Sequence, residues 1–193
     1  ILERTLGFFY PFRHNGPMTM LPATLQQLAA RLLTAAGASP SAAEAAADVF
    51  TRATLRGMGH HDLSYLPQLL DWLTQGKVIG KAETLLLSDS GALRVWDGGG
   101  GLGEAVCRHL TLDAMELAEK YGVGLSTARR SNHFLAASPY VEILSERGLL
   151  GMVWSNTDPC MSGPGGTTLV IGNNPMGFGA PGGLNLDMCM AYA

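Results

Sequence analysis

The sequence predicts an α/β fold with a helical N-terminal region, and three observations support this prediction. Residues 20–80 repeat leucines at helical spacing, residues 81–193 alternate apolar runs with helix signals, and 47% of the 193 residues are hydrophobic. Alternating strand-like and helical segments are typical of layered α/β architectures. We therefore expect an N-terminal extension over 1–19, a helical region over 20–80 and an α/β region over 81–193.

Composition and charge limit the classes of partner. Charged residues make up only 15% of the chain, whereas globular proteins usually have about 25%, so we expect other protein to cover part of the surface. The balance of 13 basic and 16 acidic residues predicts no nucleic-acid partner, and no apolar run is long enough to predict a membrane span. The three cysteines fit neither a disulfide framework nor a metal site, which favours a cytoplasmic setting.

Three helices are predicted in the helical region. The first is indicated by an apolar stripe that should face the core: Leu21, Leu25, Leu28 and Leu32. It should end at Gly37, and Ser39-Pro40-Ser41 should begin a second helix that runs to about Leu55. A third helix is expected from His61 to Gly76. Its inward side should carry Leu63, Leu66, Leu70 and Leu73.

Strands and helices are predicted to alternate after Lys81. Apolar runs over 83–88 and 93–97 flank Asp89-Ser90-Gly91, which predicts a β-hairpin. The remaining expected elements are helices over 103–121 and 138–148 and strands over 123–128, 150–155 and 184–187. Between them, residues 158–183 are rich in glycine and proline and predict a long irregular segment, which compact domains rarely keep unless it is functional.

A glycine-rich turn is the first candidate site. The pattern of a dinucleotide-binding turn is matched, after a strand and before a helix, by Gly98, Gly100 and Gly103. A Rossmann-type dehydrogenase is therefore one alternative, with Arg129-Arg130 available to a 2′-phosphate. Asp97 would repel phosphates, however, and the preceding strand is expected to be a hairpin arm rather than the first strand of a parallel unit.

Histidines and polar loops are the other candidates. Adjacent helical residues diverge by about 100°, so His60-His61 cannot both ligate one metal, but one imidazole in a cleft can act as general acid or base. His133 follows a strand and can either donate to a substrate oxygen or bond its own loop. The loops 155–159 and 172–175 either line a site or satisfy their own backbone. Asp187 ends a strand and is either functional or the cap of the next helix.

Six short motifs occur together in one order. They are His60-His61 before Leu66-Pro67, Trp96-Asp97-Gly98 before Leu102-Gly103, Ser131-Asn132-His133-Phe134, Trp154-Ser155-Asn156-Thr157, Ile171-Gly172-Asn173-Asn174-Pro175, and Leu186-Asp187-Met188. From about Met20 to Ala193 the chain resembles the type 2 malate/L-lactate dehydrogenase family, which includes ureidoglycolate and sulfolactate dehydrogenases and 2,3-diketo-L-gulonate reductase. Residues 187–190 are most similar to the diketogulonate reductase branch.

This resemblance implies both a fold and an activity. The fold would be the non-Rossmann α/β fold of L-sulfolactate dehydrogenase, with a helical N-terminal layer. The activity would be NAD(P)-dependent interconversion of a 2-hydroxy acid and a 2-oxo acid by hydride transfer, with NAD or NADP bound in the region 81–193. The resemblance also implies a small-molecule substrate and a homodimer. Because family members are longer, the chain is expected to be incomplete at its C-terminus.

The resemblance also implies roles for individual residues. His61 matches the family's acid/base histidine, and His133 is the second candidate for that role. Asn156 and Asn174 would lie beside the substrate. The dinucleotide would be contacted by Thr157, Asp187, Met188, Cys189 and Met190.

One departure from the family pattern affects the substrate. Where family members carry an arginine suited to clamp a carboxylate, this chain has Tyr65, which lacks the planar cationic fork. We nominate His60 and Arg129 as the replacements that bind substrate. Tyr65 also favours a second alternative, a non-catalytic interaction or regulatory module that kept the fold.

Overall fold

The computed structural model describes residues 20–189, so the predicted extension over 1–19 and Met190 lie outside the described residues. Helices and strands alternate after an all-helical start. In chain order they are α1 (Pro22–Ala35), α2 (Pro40–Leu55), α3 (Leu66–Thr74), β1 (Leu85–Asp89), β2 (Leu93–Asp97), α4 (Gly103–Tyr121), β3 (Leu125–Arg129), α5 (Ser138–Glu146), β4 (Gly151–Trp154), β5 (Met161–Ser162), β6 (Leu169–Ile171), β7 (Met176–Ala180) and β8 (Leu184–Met188).

The first two helices form at the predicted places, but the first turns a different face to the core. Ser39 caps α2, because its Oγ accepts from the Ala42 amide at 3.3 Å. In α1 the buried residues are Ala29 and Leu33. The predicted stripe is therefore wrong, since three of its leucines are 40–74% exposed: Leu21, Leu28 and Leu32. Because α1 packs on the alanine-rich α2, the buried face of α1 is the one that carries the small residue Ala29, which permits close approach.

The third helix begins later than predicted. Two 3-10 turns, Gly59–His61 and Leu63–Tyr65, precede α3, and Leu66 is its first residue. The extended backbone of Asp62 separates the two turns, and its Oδ1 accepts from the Ser64 amide at 2.9 Å. This local competition by a carboxylate explains why the helical pattern does not begin at His61.

The first sheet has the order β1-β2-β3. The predicted hairpin is confirmed, since β1 and β2 pair antiparallel. However, β2 also pairs parallel with β3 through α4, so the expectation that this strand is only a hairpin arm is wrong. The buried Asp113 fixes α4 on the sheet, accepting from Arg94 at 2.6 Å, Trp96 at 3.0 Å and Ser126 at 2.7 Å.

The second sheet has the antiparallel order β4-β7-β8, and β5 pairs with β6 as a separate hairpin. The prediction of an irregular segment over 158–183 is therefore wrong, because it contains three strands. Glycine was the misleading signal. An added Cβ at Gly177 would lie 2.7 Å from the Ala137 Cβ, and one at Gly179 would lie 2.7 Å from the Val141 carbonyl oxygen. These glycines let the sheet pack directly on α5.

Gly103, at the start of α4, supports the segment that carries His133. An added Cβ there would overlap the carbonyl oxygens of Asn132 and His133. Gly103→Ala should therefore lower the free energy of unfolding by about 1–3 kcal/mol through overpacking, measured by urea denaturation. Gly163→Ala is the matched control, since an added Cβ there meets no atom within 4 Å. Equal stability of the two variants would contradict the close packing at Gly103.

Candidate active site

Four aromatic rings, three from the segment just before α3 and one from residue 133, meet in one cluster. The centroids of His60 and His61 are 4.2 Å apart, those of His61 and His133 are 5.1 Å apart, and those of Tyr65 and His133 are 4.8 Å apart. Tyr65 also contacts Trp72 edge to face at 5.9 Å. We call His60, His61, Tyr65 and His133 the ring cluster. It unites both predicted acid/base histidines.

The segment between β3 and α5 holds His133 in place. Asn132 Nδ2 donates to the carbonyl oxygens of Gly100 and Gly101 at 2.9 and 2.8 Å, and Tyr140 Oη donates to that of Phe134 at 2.6 Å. The Leu135 amide donates to His133 Nδ1 at 3.3 Å, and Leu135 itself has a φ of 67°, in the region that favours glycine. Strained backbone of this kind persists where the surrounding contacts fix it.

Burial in the cluster disfavours the charged forms of His61, Tyr65 and His133. His133 has an exposed edge, but its ring packs against His61 and Tyr65, and desolvation with the neighbouring imidazoles lowers the pKa of His133 to about 4. Desolvation and then His60 also lower the pKa of His61, while the Asp187 and Asp62 carboxylates oppose this shift. Desolvation and the Glu104 carboxyl raise the pKa of Tyr65 to about 12.

The predicted cofactor residues follow one edge of the second sheet. Trp154 at the end of β4 pairs with Met176 at the start of β7, which pairs with Met188 at the end of β8. The segments that hold Thr157, Asn174 and Asp187 therefore adjoin the same edge. Met188 and Cys189 are exposed there, whereas Met190 lies outside the described residues.

Asp187 links this edge to the ring cluster. Its Oδ2 accepts from the Ser138 amide at 2.6 Å, at the N-terminus of α5. Its negative charge raises the pKa of His61, against the larger effect of desolvation. The carboxylate therefore caps a helix, but not the next helix that the sequence predicted. The capped helix precedes Asp187 in the chain rather than following it.

Thr157 and Asn174 belong to a small polar network. The Thr157 amide donates to Asn174 Oδ1 at 3.2 Å, and its Oγ1 donates to Asn173 Oδ1 at 2.8 Å. Asn174 has a φ of 39°, which the asparagine side chain tolerates better than most. Asn156 is exposed beside them. The network holds the two loops together at the sheet edge.

The amides of the four consecutive glycines in the glycine-rich turn are already hydrogen-bonded within the protein and do not point to a pyrophosphate. The amides of Gly98 and Gly100 donate to the carbonyl oxygens of Arg129 and Arg130, that of Gly101 to Gly98, and that of Gly99 to Asp97 Oδ1. Gly103 packs against the backbone of residues 132–133. The glycines thus serve a tight turn, and the geometry does not support the Rossmann alternative.

Arg129 lies at the end of β3 and is paired with a carboxylate. Its Nε donates to Asp97 Oδ2 at 3.1 Å, and Arg130 binds the same carboxylate at 2.8 Å. Arg130 and the Gly99 amide lower the pKa of Asp97 to about 2. Asp97 therefore neutralises the two arginines instead of repelling a ligand, and nothing in this geometry supports a substrate-binding role for Arg129.

Two functional candidates were missed by sequence reasoning. Glu104 and Ser138 are almost completely buried, and neither Glu104 carboxyl oxygen nor the Ser138 hydroxyl has a hydrogen-bond partner. Burial raises the pKa of Glu104 to about 8. Glu104 lies in the first turn of α4, where an acidic residue is ordinarily favourable. Nothing in the local sequence therefore marks it as a functional candidate.

No helix within 20–189 is long and apolar enough to span a bilayer. No group of three or more metal-ligating side chains comes together within those same residues.

A family model and two relatives of known name match most of this chain. The family model described as malate/L-lactate dehydrogenase matches residues 21–193. The chain is 31% identical to L-sulfolactate dehydrogenase of Methanocaldococcus jannaschii over 90% of this chain and 52% of that protein. It is 31% identical to 2,3-diketo-L-gulonate reductase of Escherichia coli over 79% of this chain and 47% of the reductase.

Structural similarity agrees with the sequence matches. Malate dehydrogenase from Pyrococcus horikoshii OT3 superimposes with a TM-score of 0.85 at 27% identity, over 91% of this chain and 51% of that structure. The chain thus spans about half the length of the relatives it matches. The predicted non-Rossmann fold is confirmed, and the chain belongs to the malate/L-lactate dehydrogenase family.

Proposed function

We propose that the protein is an NAD(P)-dependent oxidoreductase that interconverts a 2-oxo acid and a 2-hydroxy acid. The observation that carries this proposal is the ring cluster, in which His61 and His133 lie 5.1 Å apart beside Asp187. The two histidines are 72 residues apart in the sequence, and family membership supplies the reaction class. General acid catalysis needs a group of this kind within reach of the developing alkoxide.

A nicotinamide cofactor fits the sheet edge next to this cluster. The buried Ser138 hydroxyl has no partner, so hydrogen-bonding capacity remains open at the start of α5 beside Asp187. Thr157, Asp187, Met188 and Cys189 would hold the dinucleotide, together with Met190. When bound, the nicotinamide supplies or accepts the hydride.

His133 is suited to hold the substrate carbonyl oxygen. Its Nδ1 accepts from the Leu135 amide, so the proton of the neutral ring resides on Nε2. Because desolvation lowers the pKa of His133 to about 4, the ring stays neutral at pH 7 and acts as a hydrogen-bond donor. This role orients the carbonyl carbon without a net proton transfer.

His61 is suited to deliver the proton. The Asp187 and Asp62 carboxylates favour its protonated form and counter the desolvation that lowers its pKa. Asp187 is itself fixed by the Ser138 amide, so it can hold the imidazolium in one orientation. His60, Asn156 and Asn174 would contact the remainder of the substrate in this arrangement.

The proposal also covers the cellular location, the oligomeric state and the cofactor. We propose a cytoplasmic homodimer that uses NADH or NADPH. Apolar side chains exposed on one face of the second sheet support association: Met152, Trp154, Leu184 and Leu186. Light scattering of the purified chain should give twice its 20.4 kDa mass. A monomer at micromolar concentration would contradict the dimer.

The test of the activity is nicotinamide absorbance with each reduced cofactor against a panel of 2-oxo acids and cyclic imines. Oxidation of NADH or NADPH that depends on a 2-oxo acid is the expected result. Fluorescence titration should detect binding of at least one of the two cofactors. Absence of both binding and turnover would favour the non-catalytic module instead.

A further inference from the structure

No arginine or lysine of residues 20–189 is among the charges that act on His61 and His133. The charges that act on His61 are those of His60, Asp187 and Asp62, and those that act on His133 are the other two imidazoles. Six arginines are committed to carboxylates elsewhere: Arg52, Arg56, Arg94, Arg108, Arg129 and Arg130. A carboxylate entering the site therefore meets imidazole and phenol rings and the charges of two carboxylates.

Tyr65 fills the place beside His133 where a cation would be useful. Its ring lies 4.8 Å from the His133 ring and is fixed edge to face on Trp72. Desolvation and Glu104 keep the phenol protonated, so it offers a hydroxyl and an aromatic face but no charge. Among residues 20–189, the imidazoles of the cluster are therefore the groups placed to supply the positive charge that an anionic substrate needs.

An anion and a proton stabilise each other in such a site. Burial disfavours a protonated imidazole, and a bound carboxylate is disfavoured where no cation faces it. The free-energy cost of each charge falls when the imidazolium and the carboxylate are present together. Thermodynamic linkage requires the effect to be reciprocal. The titratable groups that face the cluster from the elements around it are His60, His61, Asp62, Tyr65, Glu104, His133 and Asp187.

We propose that the site binds a monocarboxylic 2-oxo acid through a protonated imidazole of the ring cluster, so that binding takes up one proton from solvent. This inference rests on the proposed function and specifies its substrate class. One imidazolium balances one carboxylate, whereas a second carboxylate would add repulsion from Asp62 and Asp187. Tyr65 is the residue that makes substrate binding depend on proton uptake. An arginine at this position would supply a positive charge at every pH in this range.

The experiment is calorimetric titration of the full chain with oxamate, an unreactive analogue of a 2-oxo acid, with saturating reduced cofactor. Titrations at pH 8 in two buffers of different ionisation enthalpy count the protons bound. We expect uptake approaching one proton, and a Kd that rises about tenfold per pH unit between pH 7 and 8.5. Binding without proton uptake, with a Kd independent of pH, would overturn the proposal.

Two variants and one neutral ligand are the matched controls. Tyr65→Arg should abolish proton uptake and strengthen oxamate binding at pH 8, since the guanidinium is charged throughout this range. Tyr65→Phe keeps the ring and should retain the uptake. Oxamide, which has no carboxylate, should bind without taking up a proton. Proton uptake that persists unchanged in Tyr65→Arg would show that the charge does not come from this place and would refute the proposal.

Turnover separates this inference from the proposed function. If the protein reduces 2-oxo acids but oxamate binds without proton uptake, only the inference fails. If it neither binds cofactor nor reduces any 2-oxo acid, the proposed function fails and the inference with it. At pH 7, kcat/KM should be higher for pyruvate than for oxaloacetate. The reverse preference would overturn the monocarboxylate assignment.

Discussion

His61→Ala should lower the turnover of a 2-oxo acid at least a hundredfold in the full chain, while cofactor affinity stays close to that of the wild type. The reason is that general acid catalysis by a positioned side chain contributes roughly 10²–10⁴-fold. His61 is half-buried between His60 and His133, and Asp187 favours its charged form. Steady-state kinetics and fluorescence titration of the cofactor measure the two quantities separately.

The pH profile gives an independent readout of the same residue. Desolvation and His60 lower the pKa of His61 below its usual 6.5, so the acid form is lost as pH rises through that lowered value. In the reducing direction kcat/KM should therefore fall with rising pH, and in the oxidising direction it should rise. His61→Ala should make kcat/KM nearly independent of pH in both directions.

The neighbouring histidines are the controls for this prediction. His60→Ala removes an identical side chain one position away and, because His60 would contact the substrate without supplying the proton, should raise KM while kcat stays close to that of the wild type. His133→Ala should weaken substrate binding through loss of the Nε2 donor. If instead His61→Ala remains active and His133→Ala abolishes turnover, the roles assigned to the two imidazoles are exchanged.

Glu104→Gln should make the protein more stable at pH 8 and should remove most of the pH dependence of stability between pH 5 and 8. Glu104 is completely buried, and neither carboxyl oxygen has a hydrogen-bond partner. Burial raises its pKa from 4.5 to about 8, so the folded protein keeps a proton that the unfolded chain releases. Stability is therefore complete at low pH and is lost as the pH rises toward 8.

The expected magnitude is large for one side chain. With the pKa of Glu104 raised from 4.5 to about 8, the loss by pH 8 is about 4 kcal/mol. The amide introduced by Glu104→Gln has the same size and does not titrate, so urea denaturation at pH 5 and pH 8 should give nearly equal free energies of unfolding for the variant. Glu119→Gln, on the exposed side of the same helix, is the matched control. Identical pH profiles for wild type and Glu104→Gln would refute the prediction.

Elements governed by local signals were predicted well. The helix from Gly103 to Tyr121 has the predicted bounds, and Gly122 ends it with a φ of 81°. The hairpin around Asp89-Ser90-Gly91 and the cap at Ser39 also form as predicted. In each case the stabilising contact lies within a few residues along the chain, so the sequence contains it directly.

Elements governed by packing were predicted less well. The leucine stripe of α1 is apolar and helical in period, yet Ala29 and Leu33 face the core. Gly177 and Gly179 look like turn residues, yet they lie in β7 against α5. Periodicity and composition report what a segment can do, whereas the partner surface decides which face is buried.

The sequence by itself determined the family resemblance, the α/β class, the capped helices and the histidines that carry the proposed chemistry. Only the tertiary structure decided that His61 and His133 touch, that Asp187 caps α5 beside them, and that Asp97 occupies Arg129 and Arg130. The physical reason is the range of the interactions. Caps and turns form between residues near in sequence, while desolvation, ion pairing and ring contacts depend on surfaces that meet only when the chain is folded.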